Sequence, residues 1–545
     1  MLLISKKASY FISLLLFSFA VHASQEHEKN RQKPITEISS PIALIQFEKK
    51  ASGSMRIYSS KVSPDGRWLA FITNDTTARN GLIKRDLYVA STTNDQIQKV
   101  NALWPRAGSV ENFEFSLNSQ HIIFRGDKDQ NYKTLSGLFW VSLEGNTFNT
   151  PSLHQTIEDE FYGSSLLTVN RQNSEHVIYS NQRGTFSVSL ESKGPPSSTK
   201  LLPKGISSLV LGSNNQDIYY SLTNRNDDNI AINTEIYQSN MSTGAPKKLS
   251  QHNHNLSKFQ LSNDQRFIVY RHYHHESLEN HGYQLYAIDL INNEHYELSH
   301  TSPHATGSIF DFNITSDSKN VIYYSDANLD NVHEVFRTPL TKPKDQVRLS
   351  PTWISSLPKN QGLINTYQAD DVTSYSISDD GQYVLMDTSR GIYLSDINGD
   401  NLINLFSDPT KVKHYRFVGN YIVIEYQSSE LEVFSTTDGQ SVHKINGTVN
   451  WPSWLQNISI SDKEHLFYSA PSVDGNDIFS IKLDSPTSKQ IKAKLPNLPT
   501  GTHFTLGTTE NQLNTIFYYT LVEKKDLLFN KRYQITLWKL VIDNK

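Results

Sequence analysis

The chain has no cysteine at all, and little of several other things. Without thiols it makes no disulfide, and its fold rests on a packed core and on hydrogen-bonded backbone. Net charge is only −4 over 545 residues, so the basic stripe that a nucleic-acid binder needs is missing. Long apolar runs are scarce too: after the first two dozen residues none is long enough to cross a bilayer as a helix. There is no Gly-x-Ser-x-Gly elbow, no phosphate-binding loop, no dinucleotide fingerprint and no His-Glu-x-x-His. Sustained 3.6-residue apolar periodicity is also lacking, which speaks against helical packing.

What is present begins with an export signal. Lys6 and Lys7 precede an apolar run from Tyr10 to Val21, which ends in Val21-His22-Ala23 before Ser24. The run is about a dozen residues, short for a membrane span, and small residues stand where a signal peptidase reads them. The expected organisation is a signal peptide over 1–23, a polar flexible leader over 24–40 and a repeat array over 41–545. No membrane span is expected after cleavage. The expected compartment is the periplasm, with secretion to the exterior as the alternative.

Aromatic residues make up 11% of the chain, with 27 Tyr and 25 Phe. Such residues suit pleated, half-buried surfaces. They fall into a repeated phrase. In its clearest copy, Ile57 to Val62 leads to a turn, Ser63-Pro64-Asp65-Gly66. Trp68-Leu69-Ala70-Phe71-Ile72 follows, then Asp86-Leu87-Tyr88-Val89-Ala90, a second turn at Asn94-Asp95, and Gln96 to Val100. Pro64 presets φ, Asp65 can bond its own backbone, and Gly66 supplies a positive φ. Similar turns precede dense apolar triplets such as Ile122-Ile123-Phe124, Val321-Ile322-Tyr323 and Tyr421-Ile422-Val423. Ten units recur at roughly 40–60 residues, the period of a propeller blade. The fold expected is all-β: a β-propeller of about ten four-stranded blades.

Ten blades exceed the usual range for one ring. Two arrangements follow: one large ring, or two fused propellers with a seam at 351–369, where Pro351, Pro358 and Gly362 interrupt the pattern. The last unit is one strand short, and a spare apolar run, Ile42 to Phe47, precedes the first. That run is expected to complete the last blade and hide two sheet edges.

Ser63-Pro64-Asp65-Gly66-Arg67-Trp68-Leu69-Ala70-Phe71 with Asp86-Leu87-Tyr88-Val89 resembles the WD40-like repeat of TolB-type propellers, and of the propeller preceding the hydrolase in dipeptidyl-peptidase-like enzymes. Ser378 to Gly381 with Gly391 to Leu394 is the next best match. The resemblance implies the propeller fold and, for the TolB-like side, docking of envelope proteins. The separate α/β domain of TolB has no room here, and no hydrolase-length segment follows the repeats.

Two clusters carry ligand chemistry. His272, His274, His275 and Glu276, with His281 beyond, offer imidazoles and a carboxylate, a set suited to a transition metal. Asp326, Asn328 and Asp330 alternate oxygen ligands as calcium loops do, although Asn331 stands where a glycine is usual. The bland alternative for both is a polar hairpin between the second and third strands of a blade. Trp104, Trp353, Trp451 and Trp454 lie near strand starts, suited to core packing or to stacking on sugars. No other cofactor is implied. The expected function is an exported scaffold binding a protein partner. The alternative is a carbohydrate-active lyase or hydrolase working in the channel; no catalytic residue is assigned.

Overall fold

The computed structural model describes residues 37–38, 42–51, 55–76, 83–127, 137–143, 154–156, 167–181, 183–190, 199–251, 256–299, 308–351, 372–445, 465–483, 491–493, 515–525 and 531–543, apart from short breaks within them. These residues form a β-propeller-type succession of small antiparallel sheets. Eight are four-stranded meanders in sequence order, running from Met55–Val62 in the first to Ser441–Ile445 in the eighth. The ninth has three described strands, His465–Ser472, Gly475–Lys482 and Ile491–Ala493.

The tenth sheet joins the two ends of the described chain. Thr515–Lys525 pairs with Lys531–Asp543, whose other edge takes Ile42–Ala51 with Ile42 opposite Lys539 and Phe47 opposite Ile535. The spare N-terminal run is therefore the next strand of the last sheet, as its apolar pattern predicts. Glu37–Ile38 extends that pairing along the same strand.

The second strands read as continuous apolar runs because both faces are buried. Ile122 and Phe124 pack toward the first sheet, while Ile123 packs toward the third. Side chains alternate with period two, so one strand serves two cores. The pattern continues: Phe267 and Val269 meet Phe312 and Tyr323 of the sixth sheet, whereas Ile268 and Tyr270 meet Tyr219 of the fourth. Across the candidate seam, Ile322, Val335 and Leu349 share a core with Val372, Val384 and Met386. Pro358 and Gly362 lie outside the described residues. At the other junction Met55 packs against Tyr533 and Ile535 of the tenth sheet.

The turn chemistry is what the repeat demands. Gly66 and Gly381 have φ of 74° and 72°. The same place in the degenerate copies is held by Ser119, Gln265 and Ser318, with φ of 60°, 60° and 58°. The hydroxyl that opens these five turns donates to the side-chain oxygen two residues on, a carboxylate in four of them and the Asn118 amide oxygen in the fifth, as Ser63 does to Asp65 at 2.7 Å and Ser378 to Asp380 at 2.6 Å.

Candidate functional site: the bulged mouth of the channel

First strands of successive sheets stand side by side, the arrangement that lines the axial channel of a propeller. Lys61 pairs with Glu114 of the next sheet. Lys258 Nζ lies 2.6 Å from Asp311 Oδ1, Asn313 Nδ2 donates 2.9 Å to the Tyr375 hydroxyl, and the Ser374 and Tyr415 hydroxyls share a hydrogen bond at 2.6 Å. The wall is therefore polar and half-exposed while the strands behind it are dry.

A second feature repeats along this wall. Seven first strands carry a β-bulge near their N-terminal ends, between Ile57/Ser59, Val110/Asn112, Ile206/Ser208, Leu256/Lys258, Ile309/Asp311, Val372/Ser374 and Val412/His414. The extruded residues are Tyr58, Glu111, Ser207, Ser257, Phe310, Thr373 and Lys413. All are exposed except Glu111, which is half-buried. An extra residue leaves the ladder and re-aims its side chain. Because the bulges sit at one position in the repeat, these side chains stand at the same end of their first strands, opposite the Ser-x-Asp turns.

Each extruded residue engages its own sheet. Arg85 lies over the Tyr58 ring at 4.2 Å, Arg125 Nη2 is 2.5 Å from Glu111, and Arg271 Nε donates 2.7 Å to Ser257 Oγ. Arg271 also donates to the Ile309 carbonyl at 3.2 Å and covers Tyr283 at 4.3 Å. Phe310, 41% exposed, meets the His333 ring edge-on at 4.8 Å, and His333 stacks on Tyr324 at 5.1 Å. The Tyr324 hydroxyl then donates 2.6 Å to the Val372 carbonyl. Lys413 Nζ reaches the buried Glu425 carboxylate at 2.6 Å. From Ser257 to the Val372 carbonyl these contacts form a continuous belt over three sheets, and the Lys413–Glu425 pair stands at the equivalent place in the next.

Between the strands Val372–Ile377 and Val412–Val418 the wall opens into a cleft of about 470 Å³. Tyr375, Ser376, Asp379, Lys413, Tyr415 and Arg416 are among its lining. Burial raises the Tyr375 hydroxyl far above its ordinary pKa, and pushes Tyr415 up to about 12 with a further push from Asp387. Burial also raises the Asp387 carboxyl, against hydrogen bonds from Thr373 and Tyr415 that act the other way. Removal from water lowers the Arg416 guanidinium, partly offset by Asp379.

Of the residues singled out in the sequence, His272 lies within Phe267–Ser277, buried, its ring edge-on to Tyr286 at 5.9 Å. His274 pairs in register with Gly282 on the returning strand, so the strand runs through most of the histidine cluster. The side chains of His274, His275, Glu276 and His281 lie outside the described residues. Asp326 is buried and its Oδ1 accepts the Ser308 amide at 2.6 Å, tying the sixth sheet's entry loop. Asn328 and Asp330 are outside the described residues, as are Trp353, Trp451 and Trp454. Among the described residues no group of three His, Asp or Glu side chains is arranged to hold a metal ion. Trp104 packs in the core, 4.9 Å from Phe139.

The belt was not foreseen. Its signal is the residue after each apolar triplet of the second strands: Arg125, Arg271, Tyr324, Asp387 and Glu425. They occupy equivalent registers opposite the bulges.

No family model matches the chain, and no curated protein matches it. Among solved structures it is similar to a puromycin-hydrolysing peptidase of Mycobacterium tuberculosis, at 10% identity and a TM-score of 0.37, over 89% of this chain and 61% of that one. It is similar to a prolyl endopeptidase at 12% identity and a TM-score of 0.35, over 88% and 56%. A third similarity is to a eukaryotic initiation factor, at 11% and 0.41, over 82% and 92%. The chain thus spans 61% and 56% of the two peptidases. Likenesses this distant carry no argument about function. The chain's class is the all-β repeat architecture of a propeller.

Proposed function

We propose that this chain is an exported binding propeller that takes a protein partner at the bulged mouth of its channel. The observation that supports this is the repetition of one bulge in seven first strands. Bulges concentrate where a sheet edge meets a ligand, because they turn side chains out of the ladder. Here they present two exposed aromatics, Tyr58 and Phe310, and a lysine. Aromatic anchors with a charged rim are the usual makings of a protein contact.

The proposal includes one continuous ring. The core shared across 351–369 and the joining of Ile42–Ala51 to Lys531–Asp543 both favour it. The N-terminal signal supports a periplasmic location. No described helix is long and apolar enough to cross a membrane, which says nothing of strands.

The test immobilises the mature chain and presents it with a solubilised envelope fraction at several salt concentrations. A specific partner is expected to be retained. It should be lost on the triple variant Tyr58→Ala, Phe310→Ala, Lys413→Ala, and kept on Arg67→Gln, a change in an exposed turn of the opposite end. Recovery of nothing specific at any salt overturns the reading.

A carbohydrate-active hydrolase or lyase is the second reading, and Asp387 favours it. A carboxyl whose pKa burial raises, beside a tyrosine at the edge of a cleft, has the makings of a general acid. Release of reducing ends from a polysaccharide panel, abolished by Asp387→Asn, would move the assignment there.

A further inference from the structure

We infer that Arg56 and Arg85, with Asn74 between them, form a niche at the mouth that takes the C-terminal carboxylate of the partner. The inference rests on the binding reading above and names the group that reading leaves open.

The three residues make one row across the first sheet. Arg56 stands opposite Asn74, and Asn74 opposite Arg85, so all three share a face. It is the face on which Ile72 and Leu87 share a core with Val110 and Phe124 of the second sheet. The row lies one step nearer the bulge end. The Arg85 amide donates 3.2 Å to Ser109 Oγ, which ties this edge to the second sheet. The Arg85 guanidinium lies 4.2 Å from the centre of the Tyr58 ring, which the bulge turns outward and leaves 49% exposed.

The two arginines lack an anion. Arg125 of the next sheet has Glu111, and Lys413 has Glu425. Arg56 and Arg85 have no such carboxylate among the described residues. Asp75 and Asp86 are close in sequence but stand on the opposite face, because side chains alternate, and Asp86 is held there by Lys99 at 2.9 Å. The flanking stretches 52–54, 77–82 and 102–107 contain no carboxylate.

The row also lacks a donor. Asn74 is 1% exposed, and its Oδ1 makes no hydrogen bond among the described residues. An enclosed amide oxygen left unpaired is costly. Phosphate or sulfate, which offer only acceptors, satisfy the arginines and leave Asn74 as it was. A ligand that carries an N–H beside its anion satisfies both. The last residue of a peptide does so, since one α-carbon bears its amide and its carboxylate. An acidic side chain inside a peptide reaches in with its carboxylate and leaves its amide behind. Arg85 Nε is enclosed, which leaves its two Nη groups to grip the carboxylate. Arg56, exposed, closes over it from outside, and Tyr58 offers an apolar face to the last side chain.

The experiment uses the purified mature chain and the peptide Gly-Ser-Gly-Ser-Ala-Phe, with fluorescein at its N-terminus and a free C-terminus. The competitors are the unlabelled peptide, its C-terminal amide, that amide with Asp in place of Ala, inorganic phosphate and digalacturonate. Binding is read by anisotropy. Saturable binding of the free-acid peptide is expected, about tenfold tighter than that of the amide. Arg85→Gln should weaken it about tenfold, Arg85→Lys by less and Arg56→Gln about threefold, and Arg67→Gln should change nothing. Asn74→Asp places a carboxylate between the arginines. It should abolish binding while the chain melts no earlier than before. Thermal melts of each variant separate lost binding from lost fold. If Arg85→Gln melts early, Arg85→Lys and Asn74→Asp decide the matter.

Equal binding of the free-acid and amidated peptides, no binding at all, or normal binding by a folded Arg85→Gln or Asn74→Asp chain overturns the inference. Tighter competition by the internal-Asp peptide, phosphate or digalacturonate than by the unlabelled free-acid peptide also overturns it, in favour of an acidic side chain, a phosphate group or an acidic sugar. Failure here is distinct from failure of the binding reading. An envelope partner lost on the Tyr58, Phe310, Lys413 variant but retained on Arg85→Gln would leave the mouth as the docking site and remove the arginine pair from it.

Discussion

The backbone amide of Asp264 donates to Ser318 Oγ at 3.0 Å, across the boundary between two sheets. Asp65 and Ser119 make the same contact at 3.0 Å. Ser316 Oγ donates 2.7 Å to the Asp379 carbonyl one sheet further on. Three pairs of neighbouring turns are thus latched, one turn satisfying a donor or acceptor of the next. Sheets packed only through apolar faces could slide, whereas a directional bond at the rim fixes the angle between them.

Removing one latch should be measurable. Ser318→Ala is expected to cost about 1 kcal/mol, the ordinary net value of such a bond. Ser119→Ala should cost about the same, and the double variant about the sum, because the two sites share no partner. The readout is the urea midpoint, with an unchanged slope. A cost near zero for both would mean that the apolar faces alone set the angle.

Gln265 poses the opposite case. It has φ of 60°, a left-handed conformation that a side chain opposes and glycine does not. Gln265→Gly should therefore stabilise the chain by about 0.5 kcal/mol, the strain relieved exceeding glycine's entropic cost. Ser318→Gly should come out near neutral, since the same relief is offset by the lost latch. Thermal midpoints measured side by side check both.

Gly66 and Gly381 show what was legible in the sequence. A turn that requires a positive φ recruits glycine, and where it does not, a serine or threonine still opens the turn, so even degenerate copies can be found. The pairing of Ile42–Ala51 was legible too, because an apolar run with no partner of its own must bury an edge somewhere. The bulges were not. The residue extruded is Tyr, Glu, Ser, Ser, Phe, Thr and Lys in turn, since a bulge is set by ladder geometry and places little demand on side chain. His272 illustrates a related point. Alternation placed it on a face, but a strand buried on both sides turns either face into core.

Two aspartates should give pH dependences of opposite sign. Asp289 is fully enclosed; burial pushes its carboxyl up, but Arg266 at 2.7 Å and the amides of Ile291 and Asn292 outweigh that and hold it below the usual carboxylate range. A depressed folded pKa contributes stability that is present above the unfolded value, about 3.9, and lost as pH falls through the folded one. Asp289→Asn should be destabilising at pH 7, with the deficit shrinking below about pH 4. Asp387 is raised by burial, so its ionisation opposes folding. Its contribution is most favourable at low pH and declines as pH rises past the unfolded value and through the folded one. Asp387→Asn should therefore be neutral or stabilising at pH 7 and should lose that advantage in acid. Melting curves from pH 3 to 8 distinguish the two.

The edge contributed by Ile42–Ala51 leads to the last expectation. Lys531–Asp543 has Thr515–Lys525 on one side and the N-terminal strand on the other. Removing residues up to 51 leaves the second side a row of unpaired amides and carbonyls, an exposed template for another chain. It also uncovers the junction where Met55 meets Tyr533 and Ile535. A chain starting at residue 52 should melt earlier than the mature chain and elute as higher oligomers in size exclusion. Adding a synthetic peptide of residues 36–51 should restore both properties, because that segment supplies hydrogen bonds and apolar cover in the same register. A truncated chain that stays monomeric with an unchanged melting point would show that this strand is an ornament and that the sheets hold their order without it.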